Sequence, residues 1–284
     1  MPITKPMLAA LSAALVVAGA GTALAQPPAG VVLAPHRAIY DLKLIKSRGT
    51  RDVETVRGRI LYDFSGNACE GYTLQFRQVS QLASAEKNVL SDLRATTWED
   101  GAAQKFRFNS RNLLNEQQTD AVDGHADRSA KEVTVTLKQP EPKTLRVPAG
   151  ALFPTEHVRR ILEAAREGKK ILVAAVYDGS DNGQKIYNTL TVIGQPIAPG
   201  GEPLTDGAAK IPALAGLTRW PVTVSYFEQE KPQQERTGEQ QPVYAIGFEL
   251  YENGISRALT LDYSDFSLSG ELTSLEMKKT DPCP

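Results

Sequence analysis

The sequence predicts an all-β protein: about a dozen or more mostly antiparallel strands in a strongly curved sheet or incomplete barrel, with one amphipathic helix packed on or across it. Three observations predict it. Apolar residues recur with period two through most of the chain, turn-forming Gly, Pro, Asn and Asp fall between these runs, and only one segment has the three- and four-residue spacing of a helix.

The first strands follow a Pro/Gly-containing stretch, Gln26 to Pro35. Ala38, Tyr40, Leu42 and Leu44 alternate with Arg37, Asp41 and Lys43, and Ile60, Tyr62 and Phe64 alternate with Arg59 and Asp63. Each run reads as a strand with one wet face. Tyr72–Phe76, Lys105–Phe108 and Glu132–Leu137 repeat the pattern, with turns expected at Ser65-Gly66-Asn67, Glu99-Asp100-Gly101 and Asp123-Gly124. The helix comes next. Thr155 is its expected cap, Val158, Ile161, Leu162 and Ala165 form its apolar stripe, Arg159, Arg160, Glu163 and Arg166 face away, and Gly168 stops it. Such a helix packs on the sheet, plugs a barrel end or covers an apolar cavity.

Lys170–Tyr177 and Gln184–Ile193 then read as a hairpin around Asp178–Gly183. A Pro/Gly-rich loop from Gln195 to Leu214 is the one candidate internal linker, and Glu228–Gln241 is a long polar connection. Trp220–Phe227, Val243–Tyr251, Ile255–Tyr263 and Phe266–Met277 complete the strands, with an Asn253-Gly254 turn.

At the N-terminus Lys5 precedes a 14-residue apolar run, Met7–Ala20, and Ala23-Leu24-Ala25 supplies small residues for a signal peptidase. The run falls short of the roughly 20 residues of a spanning helix. Residues 1–25 are therefore read as a cleaved signal peptide, with cleavage after Ala25 and a single domain over 26–284. The expected destination is the periplasm, and an integral membrane protein is not indicated. In that oxidising compartment Cys69 and Cys283, the two cysteines of the chain, are expected to form a disulfide tying the C-terminal tail to an early strand.

Composition and motifs narrow the function by exclusion. A formal charge of -1 lacks the basic excess of a nucleic-acid binder. Three dispersed histidines, His36, His125 in a polar turn and His157 at the helix start, argue against a zinc site, and no catalytic motif is present. No cofactor is expected. Asp178-Gly-Ser-Asp-Asn-Gly183 resembles the start of a calcium loop, but Thr189 stands where the bidentate Glu would be, and a tight hairpin explains the same residues. What remains is binding. Tyr40, Tyr62, Phe64, Tyr72, Phe76, Phe106 and Phe108 either line an apolar ligand face or fill a closed core.

Pro35-His-Arg-Ala-Ile-Tyr-Asp-Leu, Leu152-Phe-Pro-Thr-Glu-His-Val-Arg-Arg-Ile, Tyr177-Asp-Gly-Ser-Asp-Asn-Gly and the cysteine pair together resemble the cell envelope integrity protein EipB family of alphaproteobacterial periplasms. The resemblance spans essentially the whole mature chain. It implies a β-spiral similar in shape to the lipoprotein carriers LolA and LolB, with Cys69 bonded to Cys283. It also implies a non-enzymatic role in envelope integrity, a hydrophobic (lipid or lipoprotein-like) ligand, and a tetratricopeptide-repeat partner in the periplasm. The alternatives are a packed scaffold that docks a protein partner and an envelope-acting hydrolase.

Overall fold

The computed structural model describes residues 30–48, 53–85, 87–229, 240–279 and 283. The expected leader, residues 1–25, and most of the polar connection after Glu228 lie outside them. Fourteen strands form one antiparallel sheet. Eight precede the long helix: His36–Ser47 (β1), Thr55–Asn67 (β2), Gly71–Ala83 (β3), Asn88–Glu99 (β4), Lys105–Leu114 (β5), Gln117–Arg128 (β6), Glu132–Gln139 (β7) and Lys143–Pro148 (β8). The helix Pro154–Arg166 (α1) leads into Ile171–Val176 (β9) and Tyr187–Ile193 (β10). After a short helix, Pro212–Ala215 (α2), come Arg219–Glu228 (β11), Tyr244–Tyr251 (β12), Ser256–Tyr263 (β13) and Phe266–Met277 (β14).

The strand order is β8-β7-β6-β5-β4-β3-β2-β1-β14-β13-β12-β11-β10-β9. The chain thus lays down one half outward from β1, crosses by α1, and lays down the other half back toward β1. The central pairing of β1 with β14 joins the halves, with Tyr40 opposite Leu272 and Leu42 opposite Gly270. The two ends of the sheet are consecutive in sequence and nearly meet. Leu152 N–H donates to the Ala175 carbonyl at 2.8 Å, and Tyr177 N–H to the Leu152 carbonyl at 2.9 Å. One parallel bridge is too little to close a barrel, so the sheet is a curved roll with a seam beside α1.

The loop after β9 reinforces that seam. Gly179 and Gly183 both have positive φ, at 70° and 74°. A Cβ on Gly179 would lie 2.5 Å from the Phe108 ring, and one on Gly183 2.8 Å from Leu137. Glycine is required here for conformation and for close approach to the inner face of β5–β7. Strands β9 and β10 pair antiparallel as the expected hairpin, but their connection, Tyr177–Ile186, is a ten-residue clasp rather than a tight turn, with the Tyr177 hydroxyl donating to the Gly183 carbonyl at 2.7 Å.

Other local expectations are corrected. Asp123-Gly124 is not a turn, and His125 does not lie in one: all three residues sit inside β6, where Gly124 faces Phe108 across the strand pair. A Cβ on Gly124 would meet that ring at 2.7 Å, so the glycine makes room for a large cross-strand neighbour. Ser65-Gly66-Asn67 belongs to β2. The turn follows it, organised by the Asn67 side-chain oxygen, which accepts from Cys69 N–H at 2.8 Å and Glu70 N–H at 2.9 Å. Gln195–Leu214 is not a linker, because Ala209 and Leu214 are buried against the core of β1, β2, β13 and β14.

Candidate functional site

Helix α1 lies inside the roll. Ile161, Leu162, Ala164 and Ala165 pack against Phe64, Tyr72, Trp220, Val222 and Leu250 from strands of both halves. Its start is two residues earlier than expected, with Phe153 at the cap position and Thr155 inside the first turn. The cap is non-local. The Glu99 carboxylate, at the end of β4, accepts from Thr155 N–H at 2.7 Å and from Glu156 N–H at 2.8 Å. Arg159 does not face away; it turns in, donating to the Gly101 carbonyl at 2.8 Å with Glu99 4.0 Å off. Arg128 completes the anchor by donating to Glu156 at 3.0 Å and to the Ala151 carbonyl at 2.7 Å.

Beneath the first turns of α1 the roll holds a partly open cavity of about 540 Å³. That size lies within the roughly 300–1,000 Å³ of small-molecule sites. One wall comes from β1–β4, where Tyr40, Ile60, Tyr62, Phe64 and Phe76 face inward. The opposite wall comes from β11–β13, where Val224 and Tyr226 alternate on one strand and Tyr244, Ile246, Phe248 and Leu250 on the next. Val158 and Ile161 of α1 form the cover.

Four of the seven expected aromatics, Tyr40, Tyr62, Phe64 and Phe76, thus line the cavity. Tyr72 does not; it stacks on Phe64 at 5.2 Å, within the packed cluster that includes Trp220. Phe106 and Phe108 are not part of this face either. Phe106 stacks on Phe153 at 5.2 Å and Phe108 meets Tyr177 edge-on, filling the separate core under the clasp. Strand β5 lies four places from β1 in the sheet, where the closing seam occupies the interior. The wall from β11–β13 was not singled out from the sequence, although its period-two spacing, Tyr244, Ile246, Phe248, Leu250, carried the signal.

Beside neutral side chains such as Gln78, Thr97, Asn253 and Ser256, the lining holds three titratable groups other than tyrosines. His36 stacks on Tyr62 at 5.5 Å and donates from Nδ1 to the Ala34 carbonyl at 2.7 Å; burial lowers its pKa. Burial takes His157 further, to about 4. The Thr189 hydroxyl gives its proton to the Ala174 carbonyl at 3.0 Å, so His157 Nε2, 3.4 Å from that oxygen, is the donor between them. Among the described residues Asp178 is the one carboxylate in the lining, and no Lys or Arg lines the cavity. In the clasp, Asp178 accepts from Ser180 N–H at 2.9 Å, Asn182 accepts from Gln184 N–H at 3.1 Å, and Asp181 pairs with Lys185 at 3.1 Å. Its side-chain oxygens thus serve the turn. Among the described residues no group of three or more His, Cys, Asp or Glu is placed to hold a metal ion.

Burial has a testable electrostatic consequence at the helix start. Desolvation lifts Glu99 to about 7, outweighing the two amides and Arg159, which pull it down. A folded pKa raised from 4.5 gives stability that is full below pH 4.5 and lost as pH rises through 7. His157 runs the other way: lowered from 6.5, it gives stability present above pH 6.5 and lost as pH falls through 4. Each amounts to about 3 kcal/mol, and over the shared window they oppose one another. Relative to wild type, Glu99→Gln is therefore expected to gain stability between pH 4.5 and 7, and His157→Asn to lose it over pH 4 to 6.5. Denaturant titrations at a series of pH values check both signs; curves parallel to wild type would refute the assignment.

These features define a class of protein: an antiparallel β-roll, open along one seam, holding a helix-covered apolar cavity. The chain belongs to the EipB-like family, whose model matches residues 27–279. It is 36% identical over 275 residues to the cell envelope integrity protein EipB of Brucella abortus (strain 2308), covering 96% of this chain and 94% of that one. A crystal structure described as a beta-barrel-like protein of a domain of unknown function, also from Brucella abortus, superposes with a TM-score of 0.79 at 32% identity. That match covers 88% of this chain and all of the other. No helix among the described residues is long and apolar enough to cross a membrane.

Proposed function

We propose that this chain is exported to the periplasm by residues 1–25 and supports cell envelope integrity there by holding a hydrophobic, lipid- or lipoprotein-type ligand in the roll, without catalysing a reaction. The observation that carries the reading is the cavity itself. A roll whose only task was rigidity would pack its interior, yet Tyr62, Phe76, Ile246, Phe248 and Leu259 face the cavity only half-buried. The relative's name supplies the envelope role.

The test is titration of the mature protein with the neutral, apolar fluorophore N-phenyl-1-naphthylamine. Saturable binding at about one probe per chain is expected, and Ile246→Trp or Phe76→Trp should weaken it at least tenfold by filling the cavity. Non-saturable binding, or binding indifferent to both variants in proteins that melt like wild type, would overturn the reading.

One observation favours a second role, docking of a protein partner such as the tetratricopeptide-repeat protein the family resemblance implies. At the free end of the sheet Ile171, Val173 and Val192 are 60%, 69% and 49% exposed on adjacent strands. An apolar patch beside an unpaired edge is a site for strand addition or docking.

A further inference from the structure

The polar end of the cavity carries information about the head group of its ligand. Among the described residues no Lys or Arg lines the cavity. His36 and His157 do not substitute for them, since burial holds both toward the neutral form. An anionic head placed here would be a buried charge without a partner, which costs several kcal/mol.

The opposite charge finds partners. Asp178 lines the cavity and accepts hydrogen bonds from Ser180, whose amide lies at 2.9 Å; burial raises its pKa. Among the described residues no cation pairs with it, whereas its neighbour Asp181 already holds Lys185 and the Tyr187 hydroxyl. Beside it stand two rings that also line the cavity. Tyr226 and Tyr244 face each other across β11 and β12, stacked at 4.3 Å with 14° between planes, and Tyr187 meets both edge-on at 6.1 and 6.2 Å. Burial is the main cause that raises the hydroxyl pKa of all three, with Asp178 as a smaller contribution to each, so carboxylate and rings share one electrostatic environment. Burial keeps these phenols protonated and uncharged. Burial alone draws Asp178 toward its protonated form; an ammonium ion seated beside it and the electron-rich aromatic faces favours the carboxylate and is stabilised in return.

We propose that the cavity selects amphiphiles with a cationic ammonium head, seated against Asp178 and the Tyr226–Tyr244 pair, with the acyl or alkyl chain running between Phe76 and Ile246. The proposal rests on the ligand-holding reading above and names the chemistry of what is held. The apolar length is generic; the head group provides the selection.

Three twelve-carbon compounds differing only at the head test it: dodecyltrimethylammonium, dodecanol and laurate, each below its micellar concentration, displacing N-phenyl-1-naphthylamine from the mature protein. The expected order is ammonium, then alcohol, then carboxylate, with at least a tenfold difference between the first and the last. Asp178→Asn should reduce the ammonium-to-alcohol preference fivefold or more. Tyr226→Leu should reduce the same ratio and serves if the Asp178 variant folds poorly. Displacement by all three with equal strength, or a preference that survives both substitutions, overturns the head-group proposal and leaves the cavity's function standing. Displacement by none of them overturns the ligand-holding reading, and this proposal with it.

Discussion

Arg257→Ala is expected to destabilise the fold by about 3–5 kcal/mol, the range for removing one member of a buried ion pair. The Arg257 side chain is 3% exposed and lies between two acids. It donates to Glu249, to the Thr205 hydroxyl at 3.0 Å and to Asp206 at 3.4 Å. Asp206 also accepts from Ala258 N–H at 3.3 Å and Leu272 N–H at 3.1 Å, and Arg219 pairs with Glu249 at 2.5 Å while donating to the Glu202 carbonyl at 3.1 Å. The network pins residues 202–206 to β11–β14, and behind them Ala209 and Leu214 enter the core. Truncation leaves Asp206 buried without a cation and half-buried Glu249 with Arg219 alone, so the segment is expected to undock. The check is a lower urea midpoint together with new protease cleavage between Gly200 and Gly216. A loss under about 1 kcal/mol, with the segment still protected, would refute the clamp.

That segment also shows where local sequence stops being informative. Its prolines and glycines correctly mark turns, but the residues that hold it, Arg219, Glu249 and Arg257, come from other strands, so composition alone makes it resemble a linker. The cap of α1 has the same character. Thr155 fits the local rule, yet Glu99, 56 residues earlier in the chain, satisfies the amides. Strand β4 escaped notice because polar Ser91 and Thr97 sit on its inward face and Leu90 on its outward one, which conceals the alternation. By contrast, strands that put aromatics or aliphatics on one face and charges on the other, such as β1 and β2, were legible throughout. So was the hairpin at Asn253-Gly254, where Gly254 takes a φ of 87°. Half of the cavity was legible for the same reason. The rest depended on how the roll closes, because Phe106 and Phe108 share the alternation of Tyr62 and Phe64 but face the clasp and the Phe153 ring.

Removing the disulfide by Cys69→Ser with Cys283→Ser is expected to lower the melting temperature of the oxidised protein by roughly 10 °C, from a loss of about 2–5 kcal/mol. Cys69 and Cys283 are bonded with their Cα atoms 5.8 Å apart and 214 residues between them in sequence. A loop that long restricts the unfolded chain strongly, worth up to about 5 kcal/mol in the chain-entropy account. The folded state has other ties at the same place. Lys278 pairs with Asp63, and its N–H donates to the Pro35 carbonyl at 2.9 Å, so β14 stays docked on β1 without the bond. The turn bearing Cys69 is likewise held by the Asn67 side chain, and its neighbour Ala68 packs against Gly101, whose carbonyl holds Arg159 of the cavity cover. The stabilisation therefore acts on the unfolded ensemble rather than on the cavity. Two results separate these possibilities: the double variant and chemically reduced wild type should melt together, and at 25 °C the variant should bind N-phenyl-1-naphthylamine as tightly as wild type. Equal melting of variant and oxidised wild type would refute the clamp, while weakened binding in a folded variant would place the bond in the support of the helix cover instead.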